Sequence, residues 1–148
     1  MCDDIKKGPE EIAKFHFDID GDDFPSAGQA SVGTKKALGQ LGIDPAVIRK
    51  ISIAMYEGEI NMVIHARGGV ADVFVYPEHI AVILRDNGPG IPDVEKAMQE
   101  GFSTATAEIR SLGLGAGMGL ANMRKYTNGM DIKSTLGVGT TVSMIVNY

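Results

Sequence analysis

The apolar run Ile80-Ala-Val-Ile-Leu84 breaks directly into Arg85-Asp86-Asn87-Gly88-Pro89-Gly90-Ile91-Pro92, and no other stretch constrains the fold as much. Five apolar residues bounded by turn formers read as a buried strand, so Asp86 stands where the strand stops and a two-glycine turn begins. A carboxylate at that point faces a pocket. Gly88 and Gly90 permit close approaches that a β-carbon forbids, which suits a flat ligand lying against the main chain. A second cluster, Leu112-Gly113-Leu114-Gly115-Ala116-Gly117-Met118-Gly119-Leu120, puts glycine at every other position ahead of a helical pattern. Several N–H groups can converge there at a helix N-terminus, where anions are favoured. The first cluster reads a base and the second holds phosphates.

The rest of the chain alternates strand and helix patterns around these clusters. Phe15, Phe17 and Ile19 alternate with His16 and Asp18 at the two-residue period of a half-buried strand. His16 is read as an exposed strand residue rather than a ligand. A helix follows, capped by Ser26, with Ala30, Thr34, Ala37, Leu38 and Leu41 on one side and Gly42 closing it. Asp44-Pro45 is a helix start with aspartate as N-cap, and Val47, Ile48, Ile51, Ala54, Met55, Gly58 and Met62 trace one apolar face. Glu57 and Asn61 lie one turn apart beside that face, where a carboxylate and a carboxamide can hold a divalent ion through oxygen.

Val70–Tyr76 and Ile80–Arg85 form a hairpin across Pro77-Glu78-His79, and Val94 to Gln99 is a short helix. Residues 102–117 show no sustained period and lie between the base and phosphate clusters, as a lid would. Met118 to Tyr126 is helical, and Asp131–Thr135 pairs with Thr140–Val146 across Leu136-Gly-Val-Gly139. Helices alternating with antiparallel strand pairs predict an α+β, two-layer sandwich: a mostly antiparallel sheet with helices on one face. The chain is read as one domain, residues 1–148, with residues 1–13 a loose arm or short helix.

Several function classes drop out on bulk properties. A net charge of −5 and a pI near 5.1 argue against a broad nucleic-acid footprint. No apolar run approaches the roughly 18 residues of a membrane span, so the expected location is the cytoplasm. The single cysteine, Cys2, can form neither an internal disulfide nor a cysteine metal cluster. No Gly-Lys pair exists, which excludes a Walker loop. Gly115-Ala-Gly117 fails as a dinucleotide fingerprint, because residue 120 is Leu and no acidic residue lies some 20 positions on. The loops of ordinary protein kinases are missing too.

Taken together, the motifs resemble the GHKL ATPases, named for gyrase, Hsp90 chaperones, histidine kinases and MutL. Glu57-Gly-Glu-Ile-Asn61 resembles the family's N box and Asp86-Asn-Gly88-Pro-Gly90-Ile91 its first glycine box. Gly113-Leu-Gly115-Ala-Gly117-Met118-Gly119-Leu120 resembles its second, and Gly139-Thr140-Thr141-Val142 its final strand motif. Each is a weak signal alone, but four in the family's order are specific. The short length and the tract from Asp86 to Thr104 look most like bacterial anti-sigma factors and switch-protein serine kinases of the Rsb and sporulation type.

The resemblance implies that ATP and Mg²⁺ are the cofactors. It implies that Asn61 is a Mg²⁺ ligand and that Asp86 accepts from the adenine amino group, with Thr140 supporting that contact through water. Gly88, Gly90 and Ile91 shape the base pocket, while Gly113, Gly115, Gly117, Met118, Gly119 and Leu120 line the nucleotide. Glu57 is implied as the catalytic carboxylate that prepares a nucleophile for the γ-phosphate. The implied partners are a small STAS-domain antagonist, a sigma factor, or both, and a homodimer is compatible with them. Neither nucleic acid nor a membrane is an expected partner. A non-catalytic, ATP-dependent binding module and a stand-alone relative of sensor-kinase nucleotide domains are the alternatives. Two departures qualify the match: Ala105–Ser111 lengthens the lid, and no histidine has a phosphoacceptor setting.

Overall fold

A computed structural model describes residues 11–21, 27–91 and 119–148. The chain order is β1 (Ala13–Asp20), α1 (Gln29–Gln40), α2 (Pro45–Ala66), β2 (Gly68–Val75), β3 (His79–Asp86), α3 (Gly119–Lys125), β4 (Gly129–Thr135) and β5 (Gly139–Asn147). The strands form one five-stranded sheet in the order β1-β2-β3-β5-β4, with every neighbouring pair antiparallel.

Alternation along the strands assigns the two faces. Phe15, Phe17 and Ile19 of β1, Ala71, Val73 and Val75 of β2, Ile80, Val82 and Leu84 of β3, and Val142, Met144 and Val146 of β5 join the core beneath the helices. The intervening residues, among them His16, Asp72, Arg85 and Lys133, lie on the other face. This is the two-layer α+β arrangement that the motif order predicts.

α2 is the central helix. Asp44 caps it by accepting from the Ala46 N–H at 2.8 Å, with Pro45 in the first turn. The helix is buried beyond the single expected face: Glu59, Ile60 and Val63 join Val47, Ile48, Ile51, Ala54, Met55, Gly58 and Met62. The reason is that α2 is flanked by α1 and α3 as well as seated on the sheet. Gly58 makes the seat possible, since a β-carbon there would collide with Leu84 Cδ1 and stand 3.0 Å from Met123 Cε.

Element boundaries differ from expectation in a few places. β1 begins at Ala13, inside the stretch read as a loose arm. Gly28, at φ 103°, occupies the N-cap position of α1, while Ser26 lies outside the described residues. Leu41, at the C-cap of α1, is exposed rather than packed, although its backbone is still helical and its N–H reaches the Ala37 carbonyl. The short helix after Pro92 and the lid, residues 102–117, also lie outside the described residues.

Candidate functional site

At one end of the sheet the core-facing row turns polar. Asp86, Thr140 and Ser134 are directly opposite one another on β3, β5 and β4, one step beyond the apolar row Leu84, Val142 and Ile132. Asp86 Oδ1 accepts from the backbone N–H of Gly88 at 2.9 Å and of Thr140 at 3.2 Å. Both bonds go to one oxygen, so Oδ2 is the acceptor to spare among the described residues. Ser134 Oγ and Thr140 Oγ1 are 2.8 Å apart, and Ser134 Oγ accepts from the Ile91 N–H at 2.7 Å.

Close backbone approaches shape this end of the molecule. A β-carbon on Gly88 would stand 2.6 Å from Ala66 Cβ, so the turn after β3 lies directly against the last turn of α2. Gly90 has φ 83° and passes the carbonyl of Thr135, where a β-carbon would stand 2.7 Å away. The β4–β5 turn is tied to the same loop, with the Gly137 N–H donating to the Pro89 carbonyl at 2.9 Å.

Glu57 and Asn61 project from α2 one turn apart, both half-buried. Asn61 meets the start of α3: a β-carbon on Gly119 would lie 2.8 Å from Asn61 Nδ2 and 3.0 Å from its Oδ1. Asn122, one turn further along α3, donates through Nδ2 to Glu57 Oε1 at 3.5 Å. The carboxylate, two carboxamides and Gly119 thus form one cluster at the α2–α3 seam. Asn61 precedes Ala66, the neighbour of Gly88, by five residues, about 7.5 Å along the helix axis. The α2 cluster and the Asp86 row therefore border the same end of the fold.

Of the expected site residues, Asp86, Gly88, Gly90, Ile91 and Thr140 come together at the sheet end, and Glu57, Asn61 and Gly119 at the helix seam. Leu120 is buried in the core beside them. Gly113, Gly115, Gly117 and Met118 lie outside the described residues.

Two polar residues escaped the sequence reading. Ser134 completes the Asp86 row, and cross-strand register alone identifies it. Glu59, only 2% exposed, accepts from the N–H groups of Gly28 at 2.8 Å, Ala30 at 3.1 Å and Ser31 at 3.0 Å, and from the Ser31 hydroxyl at 2.8 Å. It supplies to α1 the N-terminal cap that Gly28 has no side chain to provide. Its signal in the sequence is a carboxylate two positions from Glu57, which on a helix points to a different side.

Comparison with known proteins matches residues 46–148 to the family described as histidine kinase-, DNA gyrase B-, and HSP90-like ATPase. A protein of Caldanaerobacter subterraneus subsp. tengcongensis named anti-sigma F factor is 37% identical over 109 residues, 69% of this chain and 73% of that one. The serine/threonine-protein kinase RsbT of Bacillus subtilis is 32% identical over 127 residues, 83% of this chain and 87% of the relative. Among solved structures, the RsbU and RsbW domains of a Mycobacterium tuberculosis protein superpose with a TM-score of 0.63 at 18% identity. That match covers 90% of this chain and 32% of the larger one. A chain of the SiaB-SiaC complex from Pseudomonas aeruginosa superposes with a TM-score of 0.52 at 10% identity, covering 95% and 92%. At these identities the two structures speak to the fold alone.

Proposed function

The chain belongs to the histidine kinase-, DNA gyrase B- and HSP90-like ATPase family, and from that premise we propose that it is a Mg·ATP-binding partner-switching regulator. In this reading residues 1–148 act as one nucleotide-binding domain that phosphorylates serine or threonine on a small STAS-type antagonist. The observation that carries it is the Asp86 carboxylate, held by two backbone donors on one oxygen beside the Gly88 turn. The names of the relatives from C. subterraneus and B. subtilis support the choice of pathway.

The residues suit the chemistry. Asp86 Oδ2 accepts from the adenine amino group, and Gly88 and Gly90 let the base lie close to the main chain. Asn61 offers a hard carboxamide oxygen, which fits Mg²⁺, an ion that takes one or two protein ligands beside phosphates and water. Bound Mg·ATP supplies the transferable phosphoryl group and the charge neutralisation. Asn122 Nδ2 stands 3.5 Å from one oxygen of Glu57, and the carboxylate would take the proton of a substrate hydroxyl as that hydroxyl bonds to the γ-phosphorus and ADP leaves. Phosphoryl transfer asks the protein mainly for such positioning.

Thermal unfolding of the wild type and Asp86→Asn with Mg·ATP and Mg·GTP tests the pocket. ATP at about 100 times its Kd adds roughly 2.7 kcal/mol, several degrees for a domain of this size, and Asp86→Asn abolishes that shift. A wild type indifferent to millimolar ATP refutes the reading. The second reading, a non-catalytic module that sequesters a sigma factor in its ATP state, draws on the relatives named anti-sigma F factor. Transfer of labelled phosphate to a STAS-domain protein separates the two: it is lost in Glu57→Ala under the kinase reading and is missing from the wild type under the other.

No helix among the described residues is long and apolar enough to cross a membrane. We place the protein in the cytoplasm, where ATP is available.

A further inference from the structure

β1 closes the sheet on one side, and among the described residues no strand pairs with its outer edge. Such an edge offers a row of open N–H and C=O groups to any extended chain, and proteins commonly block it with lysines, proline or a bulge. β1 has no proline, and its eight residues pair with β2 without a bulge. Its charges are instead sorted along the strand. The positions on the face opposite the helices read Lys14, His16, Asp18 and Asp20, basic residues first and acids last. We propose that β1 is a self-association edge, which joins a second copy of this chain by antiparallel β1–β1 pairing centred on Phe17 and merges two five-stranded sheets into one.

The register follows from the strand's own sequence. Opposed residues in an antiparallel pair share a face, and a two-fold axis makes each contact between different residues occur twice. With the axis on Phe17, Lys14 opposes the partner's Asp20, His16 opposes the partner's Asp18, and Phe15 opposes the partner's Ile19. Moving the axis to His16 sets two imidazoles against each other, and moving it to Asp18 sets two carboxylates against each other. A slip of one residue puts the charges opposite the apolar row. Parallel pairing in register would set every charge against its like. The Phe17 register alone opposes unlike charges throughout and keeps the helices of both copies on one face. This complementarity is of β1 with itself, which singles out a second copy as the occupant.

The groups concerned are accessible. The side chains of His16 and Asp18 are 52% and 87% exposed. His16 is held toward β2 by Asp72 at 2.6 Å, whereas Asp18 has only the longer 3.3 Å contact with His16. Lys14 is exposed, with its ammonium 5.2 Å from the centre of the Phe74 ring. On the helix side, Phe15 and Phe17 pack against the core and remain only partly buried. Pairing would carry that apolar row across the axis, with Phe17 against Phe17. The Phe17 ring is already braced by α1, since a β-carbon on Gly33 would stand 2.7 Å from its Cε1. β4, the opposite edge, is the poorer candidate. It offers one such charge pair, Asp131 against Lys133, its core-facing row includes Ser134, and Gly90 runs close past its Thr135 carbonyl.

Sedimentation equilibrium of the full chain is expected to show a monomer–dimer equilibrium with a micromolar dissociation constant, the weak range that a one-strand interface implies. Asp18→Lys sets a cation against the partner's His16 twice per dimer and is expected to raise that constant about 10-fold. The direction is diagnostic, because adding two positive charges to a chain of net charge −5 would by itself ease association. Asp131→Lys makes the same charge change on β4 and is expected not to weaken the dimer. Cysteine pairing reads the register directly. In a Cys2→Ser background, a mixture of His16→Cys and Asp18→Cys chains is expected to give a disulfide-linked heterodimer on oxidation. Each variant alone crosslinks poorly, because its two copies of the cysteine stand at least about 8 Å apart, beyond disulfide reach. Should His16→Cys not fold, Lys14→Cys mixed with Asp20→Cys carries the same comparison. Equal weakening by Asp18→Lys and Asp131→Lys, or a mixture no better crosslinked than its components, overturns the assignment. A wild type that stays monomeric at high micromolar concentration overturns it too, and leaves the β1 edge to an extended segment of another protein.

Discussion

The carboxylate of Glu59 and the hydroxyl of Ser31 meet 2.8 Å apart beneath the first turn of α1, where Glu59 also gathers the N–H groups of Gly28, Ala30 and Ser31. The helix that carries Glu57 and Asn61 therefore also pins the start of its neighbour. Glu59→Ala leaves these buried donors without an acceptor. We expect it to cost about 3 kcal/mol, lowering the melting temperature by roughly 6–12 °C. Glu59→Gln keeps one acceptor oxygen and is expected to fall between. Denaturant unfolding measures both, and a loss below about 1 kcal/mol for the alanine variant would contradict the role.

Gly139 and Gly58 both sit in contacts too close for a side chain, but they differ in what stands opposite. A β-carbon on Gly139 would strike the Asp86 carbonyl, and the residue holds φ 150°. The obstacle at Gly58 is the end of the Leu84 side chain, and alanine there gains about 1 kcal/mol of helix propensity. Gly139→Ala is expected to be the more destabilising, by at least about 1 kcal/mol, and to disturb Asp86 and Thr140 with it. Equal melting temperatures for the two variants would rule this out.

His16 bridges two carboxylates on the sheet face opposite the helices. Its Nδ1 is 2.6 Å from Asp72 and its Nε2 3.3 Å from Asp18, and these bonds, Asp72 foremost, raise its pKa above the ordinary 6.5. A folded-state pKa above the unfolded value means that the stabilisation is fully present below pH 6.5 and is lost as pH rises through the folded pKa. NMR titration of the His16 ring is expected to give a midpoint above 6.5 that falls in Asp72→Asn. The stability difference between wild type and Asp72→Asn should shrink as pH rises through that midpoint. A midpoint at or below 6.5 in the wild type would contradict the bridge.

The strands and the central helix were legible because each is written in local chemistry. Alternation marks β1, Asp44-Pro45 marks the start of α2, and Asn128-Gly129 marks the passage from α3 into β4. Asp86 was legible because a carboxylate ends an apolar strand just before two glycines. What escaped depends on partners far along the chain. Glu59 is explained only by the packing of α1, 28 to 31 residues away. Ser134 gains meaning only from the pairing of β4 with β5, and Leu41 is exposed even though its backbone stays helical. Helical period places a residue on a face, but it does not say which neighbours will cover that face.

Gly119 provides a last separation, between metal binding and base binding. A β-carbon there would press on the Asn61 carboxamide at 2.8–3.2 Å, while Asp86, Thr140 and Ser134 belong to a different cluster. If Asn61 holds Mg²⁺, Gly119→Ala displaces the ligand oxygen without touching the base pocket. Mg·ATP affinity is then expected to fall about 10-fold, the scale of a disturbed support to a metal ligand. Affinity for ATP measured in EDTA should change little. Titration of the wild type and Gly119→Ala in both buffers checks this, and an equal loss with and without Mg²⁺ would mean that Gly119 acts on the nucleotide itself rather than through Asn61.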